Sequence, residues 1–93
     1  MRAKTYTFEN NNYELMTNYK DGFDKDATEN LVTDYFKDYD YIVGDWSYGR
    51  LRLKGFCNKE NKMFKNINNI DRLDIYLKEN CAYDCKYFVL KKI

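Results

Sequence analysis

The residues best suited to do chemistry in this sequence form a short row of cations with aromatic side chains around it. Arg50, Arg52 and Lys54 alternate with Leu51 and Leu53. Because successive side chains of a strand point to opposite faces, this spacing puts the three cations on one face of a predicted strand. The accompanying rings are Trp46, Tyr48 and Phe56. Cations neutralise phosphates and rings stack on bases, so such a face is suited to RNA or single-stranded nucleic acid.

The charge distribution favours a basic surface in the second half of the chain. Residues 50–93 carry 11 basic and 5 acidic side chains, a net charge of +6, whereas residues 1–49 carry 5 basic and 10 acidic ones, net −5. Three further lysines would extend the cation row: Lys59, Lys62 and Lys65. The alternative is structural, with the arginines lying over neighbouring strands and pairing with acidic side chains. The candidate partners are Asp38, Asp40 and Asp45.

The segment from Asp45 to Tyr48 is a second candidate, for protein recognition. It is predicted to be a loop between two strands, and an exposed Trp46 and Tyr48 at its tip would anchor a partner, since Trp, Tyr and Arg dominate interface hot spots. The alternative is a Trp46 that folds back and closes one end of the core, with Asp45 making an Asx-turn.

The three cysteines give little support to a metal or redox site. Cys81 and Cys85 have CxxxC spacing, Cys57 is distant, and the chain has no His. A zinc site would need a carboxylate such as Asp84 as its fourth ligand, whereas Cys₄ and Cys/His sets are far more usual. Free cysteines that pack as small apolar residues are the default expectation.

Carboxylate catalysis is the remaining chemical alternative. Asp38, Asp40 and Asp45 are close in sequence, and paired carboxylates can divide the acid and base roles. No nucleophile motif or phosphate-binding glycine loop accompanies them, and the absence of His removes the commonest general base. We therefore predict no catalytic residue, no metal ligand and no cofactor.

These residues require a small sheet to position them. The patterns predict a hairpin over 4–19, a helix over 24–37, a hairpin over 40–56, a polar mobile loop over 57–69, a helix over 70–80 and a strand over 87–90. The strand at 87–90 is apolar at every position, so we expect it to be covered on both faces. The sequence thus predicts a single α+β domain over 1–93. Its antiparallel sheet would have about five strands, in chain order β-β-α-β-β-α-β, with two helices packed on it.

Two details of the helices are also predicted. The first helix would be capped by Asp24 or Asp26. Its buried stripes would be Ala27, Leu31 and Tyr35 together with Val32, Phe36 and Tyr39. The second helix would bury Leu73, Tyr76 and Leu77. Met63 and Phe64 would anchor the loop between the second hairpin and this helix.

Three of the four glycines fall in the central hairpin, at Gly44, Gly49 and Gly55, which indicates a specified backbone geometry. The run from Tyr41 to Trp46, then Tyr48-Gly49, then Leu51 to Phe56, resembles the signature of the YutD-like proteins, a family of small proteins from low-GC Gram-positive bacteria. Weaker matches continue at Tyr13-Glu14-Leu15, from Asn18 to Phe23 and from Cys81 to Leu90. The family often has Gly at position 47 and Gln at position 50, where this chain has Ser47 and Arg50. The resemblance implies no activity, cofactor or partner.

The leading hypothesis is therefore a non-catalytic binding module. It would present Arg50, Arg52 and Lys54, with the nearby rings and Asp45, to nucleic acid. The alternative is an adaptor or inhibitor that applies the same hairpin to an acidic protein surface; a small metal protein or enzyme is the third hypothesis. No apolar run is long enough to span a membrane and no signal peptide is evident, so we expect a cytoplasmic protein. The sequence does not determine the oligomeric state.

Overall fold

A computed structural model describes residues 4–80 and 85–93. Within them, five strands form one antiparallel sheet in the order β1-β2-β5-β3-β4. The strands are β1 (Thr5–Phe8), β2 (Asn11–Tyr19), β3 (Tyr41–Ser47), β4 (Arg50–Phe56) and β5 (Tyr87–Lys92). The α-helices are α1 (Lys25–Leu31) and α2 (Leu73–Asn80), and short 3₁₀ helices cover Asp34–Asp38, Asn66–Asn68 and Ile70–Arg72. The predicted α+β class, element order and antiparallel sheet are confirmed.

Both hairpins close through two-residue turns. Glu9 and Asn10 have φ values of 49° and 65°, and Tyr48 and Gly49 have values of 53° and 75°. Turns with positive φ at both central residues match the natural twist of the flanking strands, so they keep the pairing tight. The predicted loop from Asp45 to Tyr48 is therefore wrong in extent. Its first three residues belong to β3, and only Tyr48 and Gly49 form the turn.

Strand β5 lies in the middle of the sheet, between β2 and β3. Its side chains alternate between two cores: Phe88 and Leu90 pack on the face that carries α1, and Val89 packs on the face that carries α2. The prediction of a strand covered on both faces is confirmed. Helices cover both faces of the sheet. Residues two apart on β3 and β4 therefore point to the same face and the same core, whereas successive residues point to opposite faces.

The first predicted helix is broken in the middle. Asp24 caps α1 by accepting a hydrogen bond from the Ala27 amide at 3.0 Å, as predicted. The helix then ends at Leu31. The hydroxyl of Thr33 caps the following 3₁₀ helix, Asp34–Asp38, by accepting a hydrogen bond from the Tyr35 amide. A threonine hydroxyl that bonds to nearby backbone competes with helix continuation. As a result Leu31 is exposed rather than buried, as is Tyr35, whereas Val32, Phe36 and Tyr39 are buried as predicted.

The segment between β4 and α2 contains two 3₁₀ turns and is hydrogen-bonded through its asparagines, so it has more local structure than the predicted polar loop. The carboxylate of Asp40 accepts from the Asn58 amide at 2.8 Å and from the Asn61 side chain at 3.1 Å. Asn68 is buried and donates to the Met63 carbonyl at 3.0 Å. The backbone carbonyl of Asn68 accepts a hydrogen bond from the backbone amide of Cys57 at 2.8 Å. Met63 is exposed and does not anchor the segment.

The second helix begins later than predicted, at Leu73, after the 3₁₀ turn Ile70–Arg72. Leu73 and Tyr76 pack against the core residues Val43, Phe56 and Val89, and Leu77 is half-buried. The predicted stripe therefore faces the core, but its three residues are half-buried rather than buried, and α2 lies over β3, β4 and β5.

We expect the protein to lose stability as the pH rises from 10 to 12. The Tyr35 and Tyr39 hydroxyls lie 3.1 Å apart. That hydrogen bond, and then burial, raise the pKa of Tyr39 to about 12. Since an unfolded tyrosine ionises near pH 10, the unfolded state releases this proton first, and folding is disfavoured progressively until the folded pKa is passed. Urea denaturation across this pH range measures the loss.

The Tyr35→Phe variant is the control for this pH dependence. It removes the hydrogen bond that contributes most to the shift, so the stability of the variant should depend less steeply on pH between 10 and 12. Burial also raises the pKa of Tyr13 and of Tyr76, so part of the slope should remain. Equal slopes in the two proteins would exclude the Tyr35–Tyr39 pair as the cause.

Candidate binding surface

The central arginine of the predicted cation row is part of a buried ion pair. Asp45 is only 1% exposed, and its carboxylate accepts from Arg52 Nε at 2.8 Å and from Arg52 Nη2 at 3.2 Å. The same Nη2 donates to the carbonyl of Asn80 at 2.7 Å, at the end of α2. The hydrogen bond to Asp45 raises the pKa of the Arg52 guanidinium. One side chain therefore ties β3, β4 and α2 together. The structural alternative predicted the pairing with Asp45 but not the contact with α2.

Lys54 also has partners within the molecule. Its ammonium lies 5.6 Å from the ring centre of Phe56 and 5.6 Å from that of Tyr76. At these distances the ring faces attract the cation. Arg50, by contrast, is exposed at the end of β4, next to the turn. The predicted row is thus on one face of β4, but two of its three cations contribute to packing α2 on the sheet.

Trp46 folds back onto the body of the protein, so it is not an exposed anchor. Its Nε1 donates to the carbonyl of Gly22 at 2.7 Å, and the ammonium of Lys86 lies 5.0 Å from the centre of its ring. Since Trp46 follows Asp45 in a strand, it points to the face opposite the cations. The fold-back alternative holds for Trp46, but the Asx-turn does not, because the Asp45 carboxylate is bound by Arg52.

Tyr48 is the residue of the predicted site that is fully exposed. All of its surface is open to solvent, and its backbone has a φ of 53°. Nothing lies within 4 Å of where a Cβ on the neighbouring Gly49 would be, so the turn projects freely. The hairpin thus presents Tyr48 and Arg50 at the end of two strands in which Asp45, Trp46 and Arg52 are hydrogen-bonded within the molecule.

A groove beside β4 was missed at the sequence level. It has a volume of about 470 Å³, and it lies between α2, the edge strand β4 and the segment around Ile67. Its lining includes Lys54, Phe56, Ile67, Arg72, Ile75 and Tyr76. The available signal was the spacing of Arg72, Ile75 and Glu79, which puts them on one side of the helix, away from the buried stripe.

The described residues do not assemble a metal or carboxylate centre. No group of three His, Cys, Asp or Glu side chains among them is arranged to hold a metal ion. Asp40 and Asp45 each accept hydrogen bonds from their own donors instead of forming a pair. Nor does the described part of the chain contain a helix long and apolar enough to cross a bilayer.

The cysteines differ from one another. Cys57 is free and buried, and burial raises the pKa of its thiol, as expected for a small packing residue. Cys85 is disulfide-bonded, which corrects the expectation of reduced thiols at that position. Cys81 and Asp84, named for a hypothetical zinc site, lie outside the described residues.

Comparison with known proteins identifies the family. A family model described as "Putative antitoxin YutD-like" matches residues 7–91. The chain belongs to the YutD-like family. This confirms the resemblance seen in the hairpin motif.

Two YutD relatives show how far this membership extends. The protein named "Putative antitoxin YutD" from Bacillus subtilis (strain 168) is 47% identical over 85 residues, which cover 91% of this chain and 93% of the relative. The solution NMR structure of protein yutD from B. subtilis matches with a TM-score of 0.81 at 44% sequence identity, covering 99% of this chain and 84% of that one. This chain thus shares both sequence and fold with YutD of B. subtilis.

Proposed function

We propose that this YutD-like protein is a non-catalytic module that binds a protein partner through the tip of the β3–β4 hairpin. The fully exposed Tyr48, held in a left-handed backbone conformation, carries the proposal. That conformation costs a non-glycine residue about 1–2 kcal/mol. An aromatic ring that stays in water returns nothing to folding, and a residue that breaks a local rule without structural gain indicates a role outside the fold.

The surroundings of the tip favour a protein partner. Tyr and Arg are residue types enriched in interface hot spots, and Tyr48 and Arg50 are both exposed and two residues apart in the chain. The strands behind them are fixed by the Trp46–Gly22 hydrogen bond and the Asp45–Arg52 ion pair. Little conformational entropy is therefore lost when the tip is bound. The B. subtilis relative carries the name "Putative antitoxin YutD", and because an antitoxin acts on a partner, that name is in keeping with an inhibitor-type module.

Nucleic-acid binding stays a prediction. The lysines at 59, 62 and 65 and Arg50 are exposed. However, the two cations at the centre of the proposed row, Arg52 and Lys54, already interact within the molecule. The number of cations left to neutralise phosphates is therefore smaller than the sequence pattern suggested.

Replacing Tyr48 by asparagine is expected to stabilise the protein by about 1 kcal/mol, because Asn-Gly is the preferred pair for this kind of hairpin turn. Urea denaturation of the two proteins measures the difference. The Tyr48→Ala variant should gain little, since alanine keeps the unfavourable backbone. A loss of stability in Tyr48→Asn would mean that the ring contributes to the fold, and the main support for the proposal would disappear.

The same variant tests binding. Tagged wild type, Tyr48→Asn and a control, Met16→Ala, are used as baits in nuclease-treated bacterial lysate. A protein captured by the wild type and the control but not by Tyr48→Asn is purified, and its affinity for each of the three is measured. Met16 is 54% exposed on β2, away from the hairpin. We expect the wild type and the control to bind the purified partner alike. Loss of a hot spot of about 2 kcal/mol would weaken binding by Tyr48→Asn roughly thirtyfold.

Two results would contradict the proposal. Equal affinity of Tyr48→Asn and wild type for the purified partner would show that the tip is not the contact. Binding that disappears with nuclease treatment, and returns with single-stranded RNA in a salt-dependent way, would favour the nucleic-acid hypothesis instead.

A further inference from the structure

We propose that the groove between α2 and β4 is a second docking site, which receives an aliphatic side chain and a neighbouring carboxylate from an acidic segment of a protein partner. The inference rests on the proposed function insofar as both require a protein partner. The two sites use different residues, however. The groove is lined by Lys54 and Phe56 near the end of β4, whereas Tyr48 lies in the turn before β4 begins.

The apolar part of the groove is exposed and fixed in position. Ile67 is 70% exposed and Ile75 is 40% exposed, on opposite walls. Ile67 belongs to the 3₁₀ helix Asn66–Asn68, whose last residue is buried and hydrogen-bonded to Cys57 and Met63. An exposed isoleucine contributes little burial to the fold of an isolated chain, and an aliphatic side chain in the groove would remove apolar surface of both isoleucines from solvent.

The charged part of the groove determines the kind of partner. Lys54 lies above the rings of Phe56 and Tyr76, and Arg72 lines the same space from the 3₁₀ helix just before α2. A carboxylate that enters beside an aliphatic side chain would meet both cations. Glu79 lines the groove from near the end of α2 and would repel an acidic group there, so the carboxylate is directed towards Arg72, at the start of the helix.

The dimensions suit such a segment. A volume of about 470 Å³ falls in the range of sites that enclose a small group rather than a whole domain. The groove also runs beside β4, an edge strand with a neighbour on one side only, so the rest of a bound segment has room to continue along the sheet. Charge complementarity and open ends therefore favour an acidic, leucine-containing segment of another protein as the occupant.

A peptide titration followed by amide chemical shifts tests this site on the whole protein. The probe is an acetylated peptide of alternating glutamate and leucine. One comparison peptide has lysine in place of glutamate, and another has alanine in place of leucine. We expect saturable shifts at Lys54 and over residues 66–76 with the first peptide, and at least tenfold weaker binding of the other two.

Variants locate the site and separate it from the hairpin tip. Ile67→Asp should weaken binding of the acidic peptide at least tenfold, whereas Lys62→Glu, an exposed lysine in the same segment, should leave it within about twofold. Tyr48→Asn should bind the peptide as the wild type does, even though it loses the partner of the hairpin. The spectrum of each variant shows whether it is folded.

The inference fails if the lysine peptide or the alanine peptide binds as well as the acidic one. It also fails if Ile67→Asp is folded and binds normally. If the peptide binds the groove but Tyr48→Asn keeps its partner, then the tip proposal fails and the groove stands. If Tyr48→Asn loses its partner and the peptide does not bind, then the groove fails alone.

Discussion

Replacing Arg52 by alanine is expected to lower the free energy of unfolding by about 2–3 kcal/mol. The change leaves the Asp45 carboxylate, whose side chain is only 2% exposed, without the guanidinium that satisfies both of its oxygens. Removing one partner of a buried pair costs about 3–5 kcal/mol when both are desolvated. The Arg52 side chain is 45% exposed, so part of the pair is still solvated and the expected loss falls below that range, at about 2–3 kcal/mol. Urea denaturation gives the difference directly.

The same strand offers a matched control. Arg50 occupies the same face of β4 but is exposed, so Arg50→Ala should change the free energy of unfolding by less than about 0.5 kcal/mol. The double variant Asp45→Ala with Arg52→Ala should be more stable than Arg52→Ala alone, because no buried charge remains unpaired. If the two arginine variants are equally stable, the ion pair is not structural and Arg52 becomes available as a binding residue.

Replacing Gly44 by alanine is expected to cost about 3 kcal/mol or more. Gly44 pairs with Phe88 across β3 and β5, and a Cβ at Gly44 would lie less than 3.0 Å from three atoms of the Phe88 ring. The ring is fully buried, so it has no room to move away. Overpacking of this kind usually costs about 1–3 kcal/mol, and a collision in the central strands belongs at the upper end. Thermal and urea denaturation both measure the effect.

Two variants separate this collision from the ordinary effect of losing a glycine. Gly49→Ala places a Cβ in open space but at a φ of 75°, so it should cost only about 1 kcal/mol. Adding Phe88→Leu to Gly44→Ala makes room for the methyl group, so the double variant should be less destabilised than the sum of the single changes. Strict additivity would show that the ring does not determine the size of residue 44.

The local parts of the fold could be predicted because their signals are local. The alternation of Leu51 and Leu53 with charged residues specifies β4, and the apolar run from Tyr87 to Leu90 specifies a strand covered on both faces. The break after Leu31 was missed because it depends on the Thr33 hydroxyl bonding to its own neighbourhood rather than on apolar spacing. The asparagine-rich segment from 57 to 69 was misjudged for a similar reason. Asparagine side chains can hold backbone in place without any periodicity.

The candidate site was only partly predictable because its chemistry depends on distant neighbours. The row on β4 is correctly placed, but the binding of Arg52 to Asn80 is decided by where α2 ends. The direction of Trp46 depends on whether residues 45 and 46 belong to the strand or to the turn, and one residue reverses the face. The groove could not be located from the spacing in the second helix alone, since Ile67 and Ile75 line the same space only when that helix is docked on the sheet.

The position of β5 also affects the order in which the protein can assemble. The hairpins β1–β2 and β3–β4 are each complete early in synthesis, but they do not pair with each other. Within the sheet they are joined through Tyr87–Lys92, which pairs with both and leaves the ribosome after them. Until then each hairpin has an open edge and a half-covered apolar face, and such intermediates are prone to pair with the wrong chain. Cooperative folding of this molecule therefore waits for its last strand.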